Sequence, residues 1–265
     1  VAVDIITIVF MFLAGVNFAL YFQMTRGRLN AFWKDTEFRV YLISTLVAAG
    51  IVIAAIFGST IHTTAGRAVE ADFGQAVRYG LFSTVSIHTT TGFGTSDFNL
   101  WPFIAQATLI TIMFIGGSAG STGGGVKVIR LWIMLKVLRV EFEKAFRPNV
   151  VRPLRVGSTT IEPEQRTGAV TYVLSMILLA MIGSVLIMLF EQWFSESPTD
   201  YVTAVTASIA TLFNIGPGLS AVGPTQTYQF FSPQSKLVMS LLMALGRLEL
   251  FAIIVLFTPR FWRPN

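Results

Sequence analysis

Two short runs have a spacing that can bind a metal ion without any charged side chain: Thr89-Thr90-Thr91-Gly92-Phe93-Gly94-Thr95 and Asn214-Ile215-Gly216-Pro217-Gly218, both of the form x-x-Gly-x-Gly. Glycine reaches positive φ without steric cost, so neighbouring carbonyls can be turned toward a common axis. A ring of such oxygens replaces the water shell of a dehydrated cation. The candidate ligands are mainly backbone oxygens of Thr90, Thr91, Gly92 and Phe93, and of Asn214, Ile215, Gly216 and Pro217. Taken alone, either run is equally an ordinary polar turn.

Other residues offer different chemistry. Residues 116–125 include Gly116, Gly117, Gly120, Gly123, Gly124 and Gly125, six glycines in ten positions, which will not hold a helix. This stretch reads as a flexible gate, or alternatively as close helix packing by small residues. Gly116-Gly117-Ser118-Ala119-Gly120 also satisfies G-x-S-x-G, with His62 or His88 as the only available base, but a nucleophile elbow follows a strand and this run follows an apolar helix. Gly125 is followed by Val126, so the Gly-Lys-Ser/Thr ending of a phosphate loop is missing. Arg247 and Glu249 interrupt the last apolar stretch, where a charge must face protein or water. Arg247 suits a bond to carbonyls of the glycine-rich run, holding a gate shut, or an electrostatic barrier. It also suits a structural pairing with other helices. Asp97, just beyond the first run, either attracts cations or starts a helix.

The elements that must position these residues are membrane helices. The chain of 265 residues is 53% apolar and 12% charged with mean hydropathy +0.66, far from the roughly 25% charged of a soluble domain. No cysteine and two histidines leave little for a disulfide, thiolate or zinc site. The net charge of +5 does not point to nucleic acid, because the basic residues lie between apolar runs. The chain begins at Val1 almost directly in an apolar stretch and reads as part of a longer protein. Apolar stretches at 5–24, 40–57, 103–138, 170–190 and 237–257 predict five crossings, each near or above the ~20 residues a bilayer requires. Stretches 73–87 and 201–213 are too short to cross and predict re-entrant helices. Arg26, Arg28, Lys34 and Arg39, then Lys144, Arg147, Arg152, Arg155 and Arg166, then Arg260 and Arg263, mark three cytoplasmic segments, the last at the C-terminus. Residues 59–72 and 191–200 face outward.

The same order recurs twice: span, outer loop, short helix, Gly-x-Gly loop, span. The predicted organisation is an all-α membrane protein of repeated span, re-entrant helix, filter loop and span units. Residues 1–25 form the last span of a preceding repeat. Residues 40–139 form a pore repeat with loop 89–95 and gate loop 116–125, 140–165 a cytoplasmic linker, and 166–262 a second repeat with loop 213–219. Phe12-Leu-Ala-Gly15, Phe114-Ile-Gly-Gly117 and Met243-Ala-Leu-Gly246 place a glycine at the same point of three spans. In this setting irregular polar backbone at membrane depth must line a cavity. Aligned on Gly92 and Gly94, Thr-Thr-Gly-Phe-Gly differs from the potassium filter T-V-G-Y-G only by Thr for Val and Phe for Tyr.

These runs together resemble the membrane subunit of bacterial Trk-type potassium uptake systems, in the TrkH and TrkG branch of the Trk/Ktr/HKT superfamily. The resemblance is carried by Phe10 to Gly15, Thr89 to Phe93, Met113 to Gly124, Asn214 to Gly218 and Gly246-Arg247-Leu248-Glu249. It implies four repeats around one pseudo-fourfold pore, of which the first and most of the second would lie outside this chain. It also implies filter glycines at Gly92 and Gly216, a gate loop at 116–125, a pore arginine at Arg247 and inward potassium transport across the bacterial inner membrane. Potassium is then the transported substrate, with no organic cofactor and no catalysis. The implied partners are the lipid bilayer, the missing repeats, a second copy in a homodimer and a cytosolic nucleotide-binding regulatory ring. A sodium-selective relative and an intramembrane serine hydrolase using Ser118 are the alternatives.

Overall fold

The computed structural model describes the chain apart from residues 29, 148–152, 158, 196–198, 249–254, 256–258 and 263–265, so Arg152, Glu249 and Arg263 lie outside the described residues. Ten α-helices carry the described fold: α1 Ala2–Ala14, α2 Phe18–Thr25, α3 Ala31–Lys34, α4 Thr36–Ile56, α5 Phe73–His88, α6 Phe103–Met113, α7 Val128–Phe146, α8 Pro163–Phe194, α9 Tyr201–Leu212 and α10 Pro233–Arg247. Two small antiparallel hairpins, Thr60–His62 with Ala68–Glu70 and Arg155–Val156 with Thr159–Thr160, sit in connecting segments that sequence reading had treated as loops. The fold is that of an all-α membrane protein.

Helix starts are set by side-chain caps. Asp35 accepts from the Phe38 N–H at 2.7 Å to begin α4, and Asp72 accepts from Gln75 at 2.7 Å to begin α5. Asp200 accepts from Thr203 at 3.2 Å to begin α9, and Ser232, ahead of Pro233, accepts from Ser235 at 3.3 Å to begin α10. Each acceptor satisfies a donor that the first helical turn leaves unpaired. Ser232 is itself held by Glu191 from the end of α8, through its N–H at 2.9 Å and its hydroxyl at 2.7 Å.

Burial is inverted relative to a soluble protein. The long helices α4 and α8 turn large apolar side chains outward, with Ile43 59% and Met181 63% exposed, as a hydrocarbon surround permits. The short helices α5 and α9 are enclosed, including their polar residues Ser83, Thr84, Ser86 and His88 and Thr203, Thr206, Ser208 and Thr211. Helix α5 packs against α1, α4 and α6, while α9 packs against α8 and α10. Close approach is built in at Gly183, where a Cβ would sit 2.7 Å from Leu242 Cδ1.

Not every crossing is one continuous helix. Among the described residues, only α4 (21 residues) and α8 (32 residues) are single helices long and apolar enough to cross. The expected first span is two helices bent by 94°. Its cause lies far along the chain: the carbonyls of Ala14 and Gly15, freed at the end of α1, accept from Thr122 N at 3.2 Å and Ser118 N at 2.9 Å. Asn17 then caps α2 by accepting from Ala19 N at 2.9 Å. The stretch 103–138 is divided into α6 and α7 with no helix at 114–127. In the last stretch α10 ends at Arg247, and most of 249–257 is outside the described residues.

Candidate functional site

Helices α5 and α9 end in the same way. After α5, Thr90 N donates to Ile87 O at 3.0 Å and Thr91 N to Ser86 O at 2.9 Å, with Thr90 at φ 56°. After α9, Asn214 N donates to Thr211 O at 3.1 Å and Ile215 N to Ala210 O at 2.8 Å, with Asn214 also at φ 56°. This is the Schellman arrangement, in which a left-handed residue lets the chain turn back over the last helical carbonyls. Asparagine tolerates that conformation, whereas a β-branched threonine is unusual there. Thr90 is held by a specific bond: its Oγ1 accepts from Gly124 N at 2.7 Å.

The two loops then meet. Gly92, at φ 76°, lies so close to the Ile215 carbonyl that a Cβ would collide with it. Thr90, Thr91, Asn214, Ile215 and Gly216 border one cavity of about 430 Å³, which Tyr228 and Met243 help to close. The carbonyl oxygens of Thr90, Thr91, Gly92, Asn214, Ile215 and Pro217 accept no hydrogen bond from any described residue. The other two candidates are engaged: Phe93 O accepts from Ser86 Oγ at 2.7 Å and Gly216 O from Tyr228 Oη at 2.7 Å. Four of these six, on Thr90, Thr91, Asn214 and Ile215, belong to residues that border the cavity, and together they form a potential cation cradle. The partial negative charge at the C-termini of α5 and α9 has the same sign preference.

Residues 116–125 lie against both loops. The run closes on itself through a parallel bridge between Ile115 and Val126, with Gly116 N donating to Val126 O at 2.8 Å. Its contacts radiate. Ala119 N donates to Glu37 Oε1 at 2.6 Å, Gly124 N to Thr90, and Ser118 N to Gly15 O. Lys127 Nζ donates to the Gly123 carbonyl, and Arg247 Nη1 to Thr122 O at 2.8 Å. A Cβ on Gly124 would come 2.5 Å from Phe213 O, on Gly117 2.9 Å from Gly15 O, and on Gly116 into Gly124 O. Gly120 and Gly125 both adopt φ 71°. A second cavity of about 310 Å³ is bordered by 120–125, Lys127 and Arg247. All described gate candidates therefore occupy one neighbourhood; Glu249 is outside the described residues.

The remaining sequence candidates go elsewhere. Asp97 begins a short 3-10 turn by accepting from Asn99 N at 3.1 Å, and its other oxygen accepts from Thr225 Oγ1 at 3.1 Å. Ser118 Oγ is buried and bonds to no described residue. His88 Nδ1 pairs with Thr45 Oγ1 at 2.8 Å, and His62 lies in the first hairpin, so neither histidine is hydrogen-bonded to Ser118.

The match to known proteins extends over the same features. Residues 1–263 match the TrkH family, described as a cation transport protein. The chain belongs to this family. It is 33% identical over 262 residues to the Trk system potassium uptake protein TrkH of Salmonella typhimurium, covering 98% of this chain and 51% of that protein. It is 27% identical over 262 residues to the TrkG protein of Escherichia coli K12, covering 98% of this chain and 50% of that protein. The crystal structure of the potassium transporter TrkH from Vibrio parahaemolyticus superposes with a TM-score of 0.81 at 30% identity, over 99% of this chain and 53% of that one. The chain thus spans about half the length of the curated relatives it matches.

Within this TrkH-family chain, sequence reading missed three residues that touch the loops. Ser86, Glu37 and Tyr228 are not among the candidates that the sequence offers. Glu37 had one signal: an acid in the first turn of an apolar span, which needs a partner once buried.

Proposed function

We propose that this chain, within a longer protein, conducts potassium inward across a bacterial cytoplasmic membrane, with 40–139 and 166–262 serving as two pore repeats and 1–25 as the end of another. The carrying observation is the repeated helix end whose loops meet beside a cavity bordered by four residues with unengaged carbonyl oxygens, Thr90, Thr91, Asn214 and Ile215. Those oxygens substitute for hydration around a monovalent cation as it passes. Residues 116–125, tied to Arg247, form the inner gate, and the basic segments contact the cytoplasm, with the C-terminus on that side. A homodimer and a cytosolic nucleotide-binding ring are the partners proposed for the whole protein.

The test is competitive rubidium and sodium uptake by potassium-starved cells expressing the complete protein, with and without Gly92→Ser. A side chain at 92 drives into the Ile215 carbonyl and disturbs two candidate ligands at once. The rubidium preference should fall by about fivefold or more, the worth of about one hydrogen-bond-sized interaction. An unchanged preference in a variant that reaches the membrane would overturn the filter.

A further inference from the structure

The two loops are alike through Thr91 and Ile215 and then diverge. Gly92 N still donates to Ser86 O, at 3.3 Å, whereas no such bond ties Gly216 N to Ala210 O, and φ opens from 76° at Gly92 to 111° at Gly216. The side chains explain the difference. In the first loop the Ser86 hydroxyl, on α5, holds the Phe93 carbonyl one residue beyond the glycine. The counterpart of Ser86 on α9 is Ala210, which has no hydroxyl. The hold comes instead from outside the helix, through Tyr228 Oη on the Gly216 carbonyl itself. At the level of the glycine, the first loop therefore presents an unengaged oxygen and the second an oxygen already accepting a hydrogen bond.

We infer that Tyr228 is a positioning residue that tunes ion preference by setting the ligand strength of the Gly216 carbonyl. The inference rests on the carbonyl-filter reading above. A donated hydrogen bond occupies one lone pair and draws electron density from the oxygen, leaving a weaker ligand for a cation. The order of preference among cations responds to the number and field strength of coordinating dipoles, and weaker fields favour the larger, more easily dehydrated ion. The tyrosine is well placed to hold the carbonyl in one position. It borders the same cavity as the loops, and its ring lies tilted against Phe231 with centroids 5.8 Å apart.

The experiment is competitive rubidium and sodium uptake in the complete protein, comparing the unmodified protein, Tyr228→Phe and Gly92→Ser, with 3-fluorotyrosine placed at 228 as a second variant. Phenylalanine removes the donor and keeps the ring, so the rubidium-over-sodium preference should fall by about two- to tenfold. Fluorotyrosine is a stronger donor of nearly equal size and should move the preference the opposite way. Opposite shifts would establish the tuning role, since a merely structural ring would give none. If Gly92→Ser erodes preference while both changes at 228 leave it unaltered, Tyr228 has no such role and the filter stands. If none of the three alters preference, the filter reading fails first and this inference with it. Should Tyr228→Phe fail to reach the membrane, the fluorotyrosine protein alone decides: no shift overturns the inference.

Discussion

At the residue scale, Thr90 concentrates the chemistry of the site. A β-branched residue in the left-handed region is strained, and the structure compensates by giving its hydroxyl the Gly124 N–H as a donor at 2.7 Å. Thr90→Val keeps the shape and removes the acceptor, leaving a partly buried N–H unpaired at a cost of about 1–3 kcal/mol. The thermal unfolding midpoint of the purified protein in detergent should drop by several degrees. Thr90→Asn, matching Asn214 in the second loop, should retain more of it, because asparagine accepts this conformation more readily. Equal midpoints for Thr90→Val and the unmodified protein would mean the Gly124 contact contributes nothing.

At the element scale, the short helices are anchored at one end by an acid and open at the other to the cavity. The Asp200 carboxyl at the start of α9 sits below its ordinary value of 3.8: partial burial pushes it up, but the Thr203 hydroxyl and N–H and the Ser220 hydroxyl outweigh that by bonding to the charged form. A carboxyl depressed on folding adds stability that is fully present above the unfolded value and disappears as pH falls through the folded one. Stability should therefore decline as pH drops below about 4, and Asp200→Asn should flatten that part of an acid-unfolding curve while leaving its neutral part with the same slope. Identical acid limbs would remove Asp200 from the account.

The run 116–125, proposed as the gate, is also an element, though an irregular one. Arg247 reaches Thr122 O from α10, while Glu37 reaches Ala119 N from α4. If these contacts hold the run beneath the loops, Arg247→Gln should raise the maximal rate of rubidium uptake. A fall, or no change, would favour close packing over gating. What sequence made visible here was local in origin. Long apolar runs revealed α4 and α8, polar runs with glycine every second residue revealed the two loops, and clustered glycines revealed where 103–138 must lose its helix. The bend between α1 and α2 was hidden because its cause is remote, in the N–H groups of Ser118 and Thr122 about a hundred positions later. Tyr228 was hidden for the same reason. A tyrosine in a short 3-10 turn has no periodicity to betray which carbonyl it meets, and the missing hydroxyl at Ala210 gains meaning only when the two helices are superposed.

At the scale of the whole molecule, the repeats are joined outside as well as beside the cavity. Asn99 donates to Ser220 O at 2.9 Å and accepts from Ser220 N at 2.8 Å, and Thr225 bonds to Asp97, so the segments following the two loops are tied directly. Such a clamp fixes the relative height of the loops, on which the proposed coordination site depends. Chain order, glycine spacing and membership of the TrkH family describe one architecture: short enclosed helices held inside long lipid-facing ones, with their C-terminal turns brought together. The most direct measurement is an anomalous difference map from crystals of the complete protein grown with rubidium. The account predicts a peak at coordination distance from carbonyls of Thr90, Thr91 or Gly92 and of Asn214 or Ile215. Ordered loops with no peak between them, and rubidium bound elsewhere, would contradict it.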